Sequence, residues 1–180
     1  MNLKSILSFL WDTAKLILIS LAIILPLRYY VVQPFFVLGA SMEPTFENGD
    51  YLIIDEISYR TGEPERGDVI VFKYPYDTKQ YYIKRIVGLP GEIVGFKDGK
   101  IIIKNKDNPD GYFIEEKYLL DEKETFGGGE VKLGVDEYFV LGDNRGASSD
   151  SRRWGALKEE FIVGRVFLRV FPFDSVNLFK

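Results

Sequence analysis

The sequence predicts a mainly β protein with an N-terminal transmembrane helix. The body behind it is antiparallel, an antiparallel β-barrel or sandwich-like domain with a small inserted β subdomain. Three observations predict this. One long apolar run stands alone near the N-terminus. After Pro34, short runs rich in Ile, Val, Phe and Tyr are separated by Gly, Pro and Asp turns. No long helical pattern intervenes between those runs, as a parallel sheet would need.

The apolar run comes first. Leu16 to Leu27 carries no charge but is short for a span, which needs about 20 apolar residues. Ser5 to Lys15 supplies the missing length and brings in Asp12 and Lys15, both toward one end. Trp11 falls near one interface, and Tyr29 and Tyr30 near the other. A cleaved secretory signal would need a small-x-small cleavage site, which Leu25-Pro26-Leu27-Arg28-Tyr29-Tyr30 lacks. A buried core helix would need a second apolar helix against it, and none follows. Residues 1–28 therefore read as an uncleaved membrane anchor and 29–180 as the body. Lys4 and Lys15 on one side against Arg28 on the other give only a weak orientation bias.

Expected strands are Tyr51–Ile57, Val69–Tyr74, Tyr81–Val87, Glu92–Phe96, Lys100–Lys104, Glu137–Leu141 and Phe161–Phe171. Asp98-Gly99 between two of them signals a tight hairpin. Residues 97–133 read as the insert. Asn105 to Lys132 is turn-rich, with a short helical or extended Glu115–Leu120, and its Tyr112, Phe113 and Tyr118 need cover. Val31, Val32, Phe35, Phe36, Val37 and Leu38 are more apolar than a plain linker. They read either as an ordinary core strand or as part of a surface resting in the membrane interface.

Composition narrows the chemistry. The 180 residues include no histidine and no cysteine, and the net charge is -4. A Ser-His-Asp triad, a cysteine nucleophile and a zinc site with nitrogen or sulfur ligands are excluded. The acidic balance argues against nucleic acid as a partner. A hydrolase with this composition has three routes left: a Ser or Thr with a lysine base, paired carboxylates, or a metal held by oxygens.

Three stretches bear on the choice. Gly39-Ala40-Ser41-Met42-Glu43-Pro44-Thr45-Phe46 puts one hydroxyl between small residues and a turn. Tyr82-Ile83-Lys84-Arg85-Ile86-Val87 reads as a strand with Tyr82, Lys84 and Ile86 on one face. A lysine in such surroundings is desolvated, which lowers its pKa from about 10.4 and yields a neutral amine able to take a serine proton. The competing reading is an edge-strand lysine in water. Gly142 to Gly155 mixes Asp, Asn, Arg and Ser before Trp154. Such a loop can orient a lysine through hydroxyls and brace itself with Asp–Arg pairs. Asp143, Asn144 and Asp150 could instead hold a metal, but Arg145, Arg152 and Arg153 in the same loop oppose a cation. No metal and no cofactor is expected.

Taken in order, Ser41-Met42-x-Pro44-Thr45, Lys84-Arg85-Ile86-Val87-Gly88-Leu89-Pro90-Gly91 and Gly142-Asp143-Asn144-Arg145-x-x-Ser148-x-Asp150-Ser151-Arg152 make the chain resemble bacterial type I signal peptidase, of the shorter Gram-positive type. The resemblance implies a single-pass protein of the cytoplasmic membrane. Its catalytic β domain would lie on the extracytoplasmic face and cleave signal peptides from exported preproteins with a Ser-Lys dyad. Partners implied are those signal peptides, the lipid bilayer and a secretion translocon. By motif, Ser41 is the nucleophile and Lys84 the general base. Ser148 orients the Lys84 amine, Asp143 pairs with Arg85, Asp150 pairs with Arg152, Met42 packs beside the serine, and Tyr82 lies beside the lysine. Some members carry a serine where Gly39 stands, so the oxyanion hole rests on the Ser41 N–H with help from the Gly39 backbone. Two rivals are a self-cleaving repressor-type protease, which carries a DNA-binding domain in front instead of an anchor, and a membrane-anchored binding module without catalysis.

Overall fold

The computed structural model describes residues 3–30, 32–119 and 124–179. The side chains of Arg28, Tyr29 and Tyr30, and the whole of Val31 and Leu120, lie outside the described residues, and with them the aromatic belt expected at the far end of the anchor. The chain opens with α1 (Leu3–Tyr30), which runs through Pro26. Its stretch Lys4–Ile24 is 21 residues. At 1.5 Å per residue that is about 31 Å, the thickness of a hydrocarbon layer. Apolar side chains such as Leu7, Phe9, Trp11 and Ile17 are more than half exposed.

Strands β1 (Val32–Phe36), β2 (Tyr51–Asp55), β3 (Val69–Tyr74) and β4 (Asp77–Gly88) follow, with a single-turn α2 (Ser58–Thr61) between β2 and β3. Next come β5 (Ile93–Lys97), β6 (Lys100–Lys104), β7 (Tyr112–Phe113), β8 (Val131–Lys132) and β9 (Glu137–Leu141). The chain finishes with α3 (Ser151–Trp154), β10 (Leu157–Lys158), β11 (Ile162–Phe171) and β12 (Asn177–Leu178).

All pairings are antiparallel, in two sheets. The larger runs β1-β2-β11-β3-β4-β9-β10 with β12 on β11, and the smaller runs β7-β6-β5-β8. Among the described residues neither sheet closes on itself. Pro34 lies inside β1, in the run that reads either as a core strand or as an interfacial surface. It is tolerated because β1 is an edge, where a missing N–H costs no ladder bond on the open side. β7, β8, β10 and β12 are two-residue pairings, too short to leave a periodicity. The Asp98-Gly99 hairpin forms as expected, with φ of 51° and 72° and Lys97 opposite Lys100. Positive φ at both positions matches the right-handed twist of the flanking strands.

Three apolar clusters hold these parts. β3 lies between β11 and β4, and its Val69, Ile70, Val71 and Phe72 are all buried. One face of it packs with Val37, Met42, Phe46, Leu52 and Ile54, which fastens the β1–β2 connection to the sheet. The other face packs Ile70 and Phe72 with Ile86, Tyr138, Val140 and Leu157. A third cluster joins the two sheets through Val87, Val94, Ile101, Ile103 and Phe139. Phe139 is fully buried and meets Phe96 at 6.1 Å between ring centroids. Phe139→Ala should cost about 3–5 kcal/mol in urea unfolding, as expected for a buried ring lost from a packed core. A cost below about 1 kcal/mol would show that the sheets are not held together there.

Candidate active site

Ser41 sits on the β1–β2 connection, and short-range features pin it. Val37 N–H donates to the Asp50 carbonyl, and Gly49 N–H donates to the Val37 carbonyl, each at 2.9 Å, closing the loop at its base. Met42 and Phe46 are fully buried and act as two apolar pegs on either side of the turn. Phe46 N–H donates to the Met42 carbonyl at 3.0 Å. With residue 42 driven into the core, the half-buried Ser41 beside it is left facing the sheet surface.

Lys84 stands on β4 opposite Ile70, on the face it shares with Tyr82 and Ile86. It is only 3% exposed. Its Nζ donates to Ser41 Oγ at 2.7 Å and to the Ile83 carbonyl at 2.6 Å, and lies 5.6 Å from the centre of the Tyr82 ring. Burial brings the amine down from 10.5 to about 8, and it does so against Asp150 and Asp143, which act in the opposite direction.

The connection after β9 supplies those two acids already paired. Asp143 receives Arg85 Nε at 2.9 Å and Nη2 at 2.6 Å, and the Thr45 hydroxyl donates to it at 2.5 Å. Asp150 receives Arg152 Nε and Nη2, both at 2.8 Å, and caps α3 by accepting from the Arg152 N–H. Burial pushes the Asp150 carboxyl up. Arg152 and the Gly142 N–H outweigh that and leave it below its usual value. The Asn144 N–H donates to the Ser41 carbonyl at 3.1 Å, tying this connection to the serine.

Ser148 lies beside the pair without bonding to the amine. Its hydroxyl is buried and meets no partner at hydrogen-bonding geometry among the described residues. Its neighbour is Gly142: a methyl there would overlap both the Ser148 side chain and the Ser41 carbonyl. The amine's second partner is instead the Ile83 carbonyl, a backbone group that no side-chain pattern could announce. Gly39, with φ of 93°, has its N–H taken by Asn48 Oδ1 at 2.9 Å. Among the described residues no acceptor engages the Ser41 N–H. In this arrangement the Gly39 N–H is engaged by Asn48, and the Ser41 N–H is the donor left open.

A groove of about 640 Å³ runs past the two residues. Phe35 and Val37 border it from β1 and the segment after it, and Tyr81 and Ile83 from β4. Both walls have unpaired backbone. β1 is the end strand, and β9 pairs with β4 only from Arg85 onward. Arg145 and Glu116, which sequence reasoning did not select, meet behind the Asp143 pair. They are 29 residues apart, and nothing in their local sequence links them.

Comparison with known proteins identifies the family. Residues 10–171 match the family described as signal peptidase, peptidase S26. The probable signal peptidase I-1 of Synechocystis is 36% identical over 171 residues, covering 91% of this chain and 84% of that protein. The signal peptidase I T of Bacillus subtilis is 35% identical over 173 residues, covering 94% and 89%. A crystal structure of a signal peptidase I from Enterococcus faecalis superposes with a TM-score of 0.48 at 29% identity, over 58% of this chain and 97% of that one. The chain belongs to the signal peptidase family of serine peptidases, peptidase S26.

Proposed function

We propose that the protein is a membrane-bound endopeptidase that removes N-terminal signal peptides from exported preproteins with a Ser41–Lys84 dyad. The observation that carries this is the 2.7 Å contact between Lys84 Nζ and Ser41 Oγ, with burial bringing the amine down from 10.5 to about 8. With no histidine in the chain, the lysine is the base within reach. Neutral Lys84 takes the Ser41 proton as Oγ attacks the scissile carbonyl. The Ser41 N–H faces the oxyanion. Protonated Lys84 then gives its proton to the leaving amine, and the acyl-enzyme is opened by a water that the same amine activates. Asp143–Arg85 and Asp150–Arg152 brace the loop, and Met42 and Tyr82 pack against the two working side chains. Ser148 fills the space behind the Ser41 carbonyl, where its hydroxyl can rotate toward the amine.

The substrate lies extended in the groove and pairs with the free edges of β1 and β4. α1 is the anchor of a single-pass protein of the cytoplasmic membrane. Residues 29–180 form the catalytic unit, 97–133 an insert within it, and the body faces the extracytoplasmic side near the translocon. Phe36 is 64% exposed and Leu38 86%, in the segment that follows α1. That supports an apolar rim resting in the lipid interface, so that cleavage occurs where a spanning signal peptide emerges.

Ser41→Ala and Lys84→Met should each abolish cleavage of a preprotein in detergent while leaving circular dichroism unchanged. Near-normal turnover by Lys84→Met would remove lysine as the base. The same substitution should raise stability. Holding the amine at about 8 rather than 10.5 opposes folding by about 3 kcal/mol below pH 8, where both states are protonated. That penalty fades as pH rises from 8 to 10.5, because only the unfolded chain then still binds the proton. The stability gap between Lys84→Met and the parent should therefore narrow over that interval.

The rate should follow the neutral amine. kcat/KM is expected to rise about tenfold per pH unit below pH 8 and to level off above it. A profile already flat from pH 6 upward would contradict the mechanism. For the membrane reading, the full chain should float with lipid vesicles and resist alkaline carbonate extraction. In cells, protease added outside should digest the body. Extraction by carbonate, or protection from external protease, would overturn the anchor or its orientation respectively.

A further inference from the structure

Arg145 is the buried arginine of the 142–155 connection that the proposed reaction leaves without a task. Its side chain is 3% exposed and that of its partner Glu116 11%. Nη2 donates to Glu116 Oε1 at 2.5 Å and Nη1 to Oε2 at 3.2 Å. Nη1 also donates to the hydroxyl of Thr125, which is fully buried. Nε donates to the Gly142 carbonyl at 3.0 Å, and the Arg145 carbonyl receives Arg152 Nη2 at 2.7 Å. Glu116 and Thr125 belong to the connection between β7 and β8, in the smaller sheet's part of the chain. Tyr118, from the same connection, donates its hydroxyl to Glu116 Oε1 at 2.6 Å. Its ring lies 4.0 Å from the guanidinium carbon of Arg85, the arginine that pairs with Asp143.

We propose that Glu116 is a positioning residue for the Ser41–Lys84 pair. Its carboxylate satisfies the buried Arg145 guanidinium, which holds the Gly142 carbonyl and so keeps Gly142 pressed against the Ser41 carbonyl and Ser148. The path is short and every link is a hydrogen bond or a close contact. Glu116 grips Arg145, Arg145 grips Gly142, and Gly142 has no room to spare against the two serines. Removing the carboxylate leaves a nearly dry guanidinium uncompensated, which is far costlier than losing an exposed ion pair. The connection relieves this by moving the arginine toward water, and Gly142 goes with it. A displacement well under 1 Å at Ser41 is enough to slow acyl transfer, because attack depends on near-contact geometry. The smaller sheet thus serves the chemistry from behind, without touching substrate.

The inference rests on the Ser-Lys reading above, and its test separates the two. Full-length protein in detergent is assayed on a preprotein, with active sites counted by a serine-directed acylating probe. Glu116→Ala should lower kcat about tenfold while KM stays within about twofold. Glu116→Gln, which can still accept from Nη2, should recover most of that loss. A Glu116→Ala protein that melts earlier yet keeps the parent kcat per active site would show a purely structural tie and overturn the proposal. So would a rise in KM at unchanged kcat. Should Glu116→Ala fail to fold, Glu116→Asp decides, because it keeps the charge but withdraws the carboxylate from Arg145 by one methylene: a lowered kcat per active site at unchanged KM supports the proposal, and parental kcat overturns it. Substantial activity in Lys84→Met would instead sink the dyad, whatever the Glu116 variants do.

Discussion

Withdrawal of one amine from water organises the centre of this molecule. Lys84 is almost fully buried among β3, β4 and the Ser41 loop, and its ammonium form is disfavoured there. Two carboxylates lie close enough to undo that effect, Asp143 and Asp150. Each is matched by an arginine in two-bonded contact, Arg85 and Arg152. An acid whose charge is already shared with a guanidinium pulls less on a neighbouring amine. The Asp–Arg pairs therefore do more than brace a loop. They let the loop bring buried acids near the lysine while burial still holds it at about 8 rather than 10.5.

This arrangement also explains why the sheet is built as it is. β3 is buried on both faces and gives β4 a firm partner on one side. On its other side β4 meets β9 only from Arg85 onward. Lys84 thus falls where the strand passes from a paired edge to a free one. The amine is supported from the core, while the backbone just before it stays open to an extended chain. β1, the other wall of the groove, follows directly on α1. On the proposed membrane placement, the groove can lie no farther from the bilayer than that short connection allows.

The smaller sheet shows how a part remote from the groove can matter to it. Its cluster with Phe139 fastens it to β9, the strand that leads into the 142–155 connection. Glu116, Thr125 and Tyr118 then reach that connection and Arg85 from the outside. Fixed from both ends, the connection has few alternative conformations in which its two acids could move.

Much of this was legible in the sequence because it is local. The apolar run of α1, the β-branched and aromatic runs of β3, β6 and β9, and the Asp98-Gly99 turn each announce themselves within a few residues. The absence of histidine and cysteine removed whole classes of chemistry, and the order of three motifs selected Ser41 and Lys84. Other features belong to the tertiary structure alone. That the strand through Pro34 is an edge strand follows only from the sheet order. The acceptor at Ile83 is a backbone carbonyl, and the loss of the Gly39 N–H to Asn48 depends on how one loop closes. Glu116 meets Arg145 only because two sheets pack together. Local propensity and periodicity are carried by neighbours in the chain. Burial, and the pKa and pairing that follow from it, are set by residues far apart in sequence, and only the folded arrangement decides them.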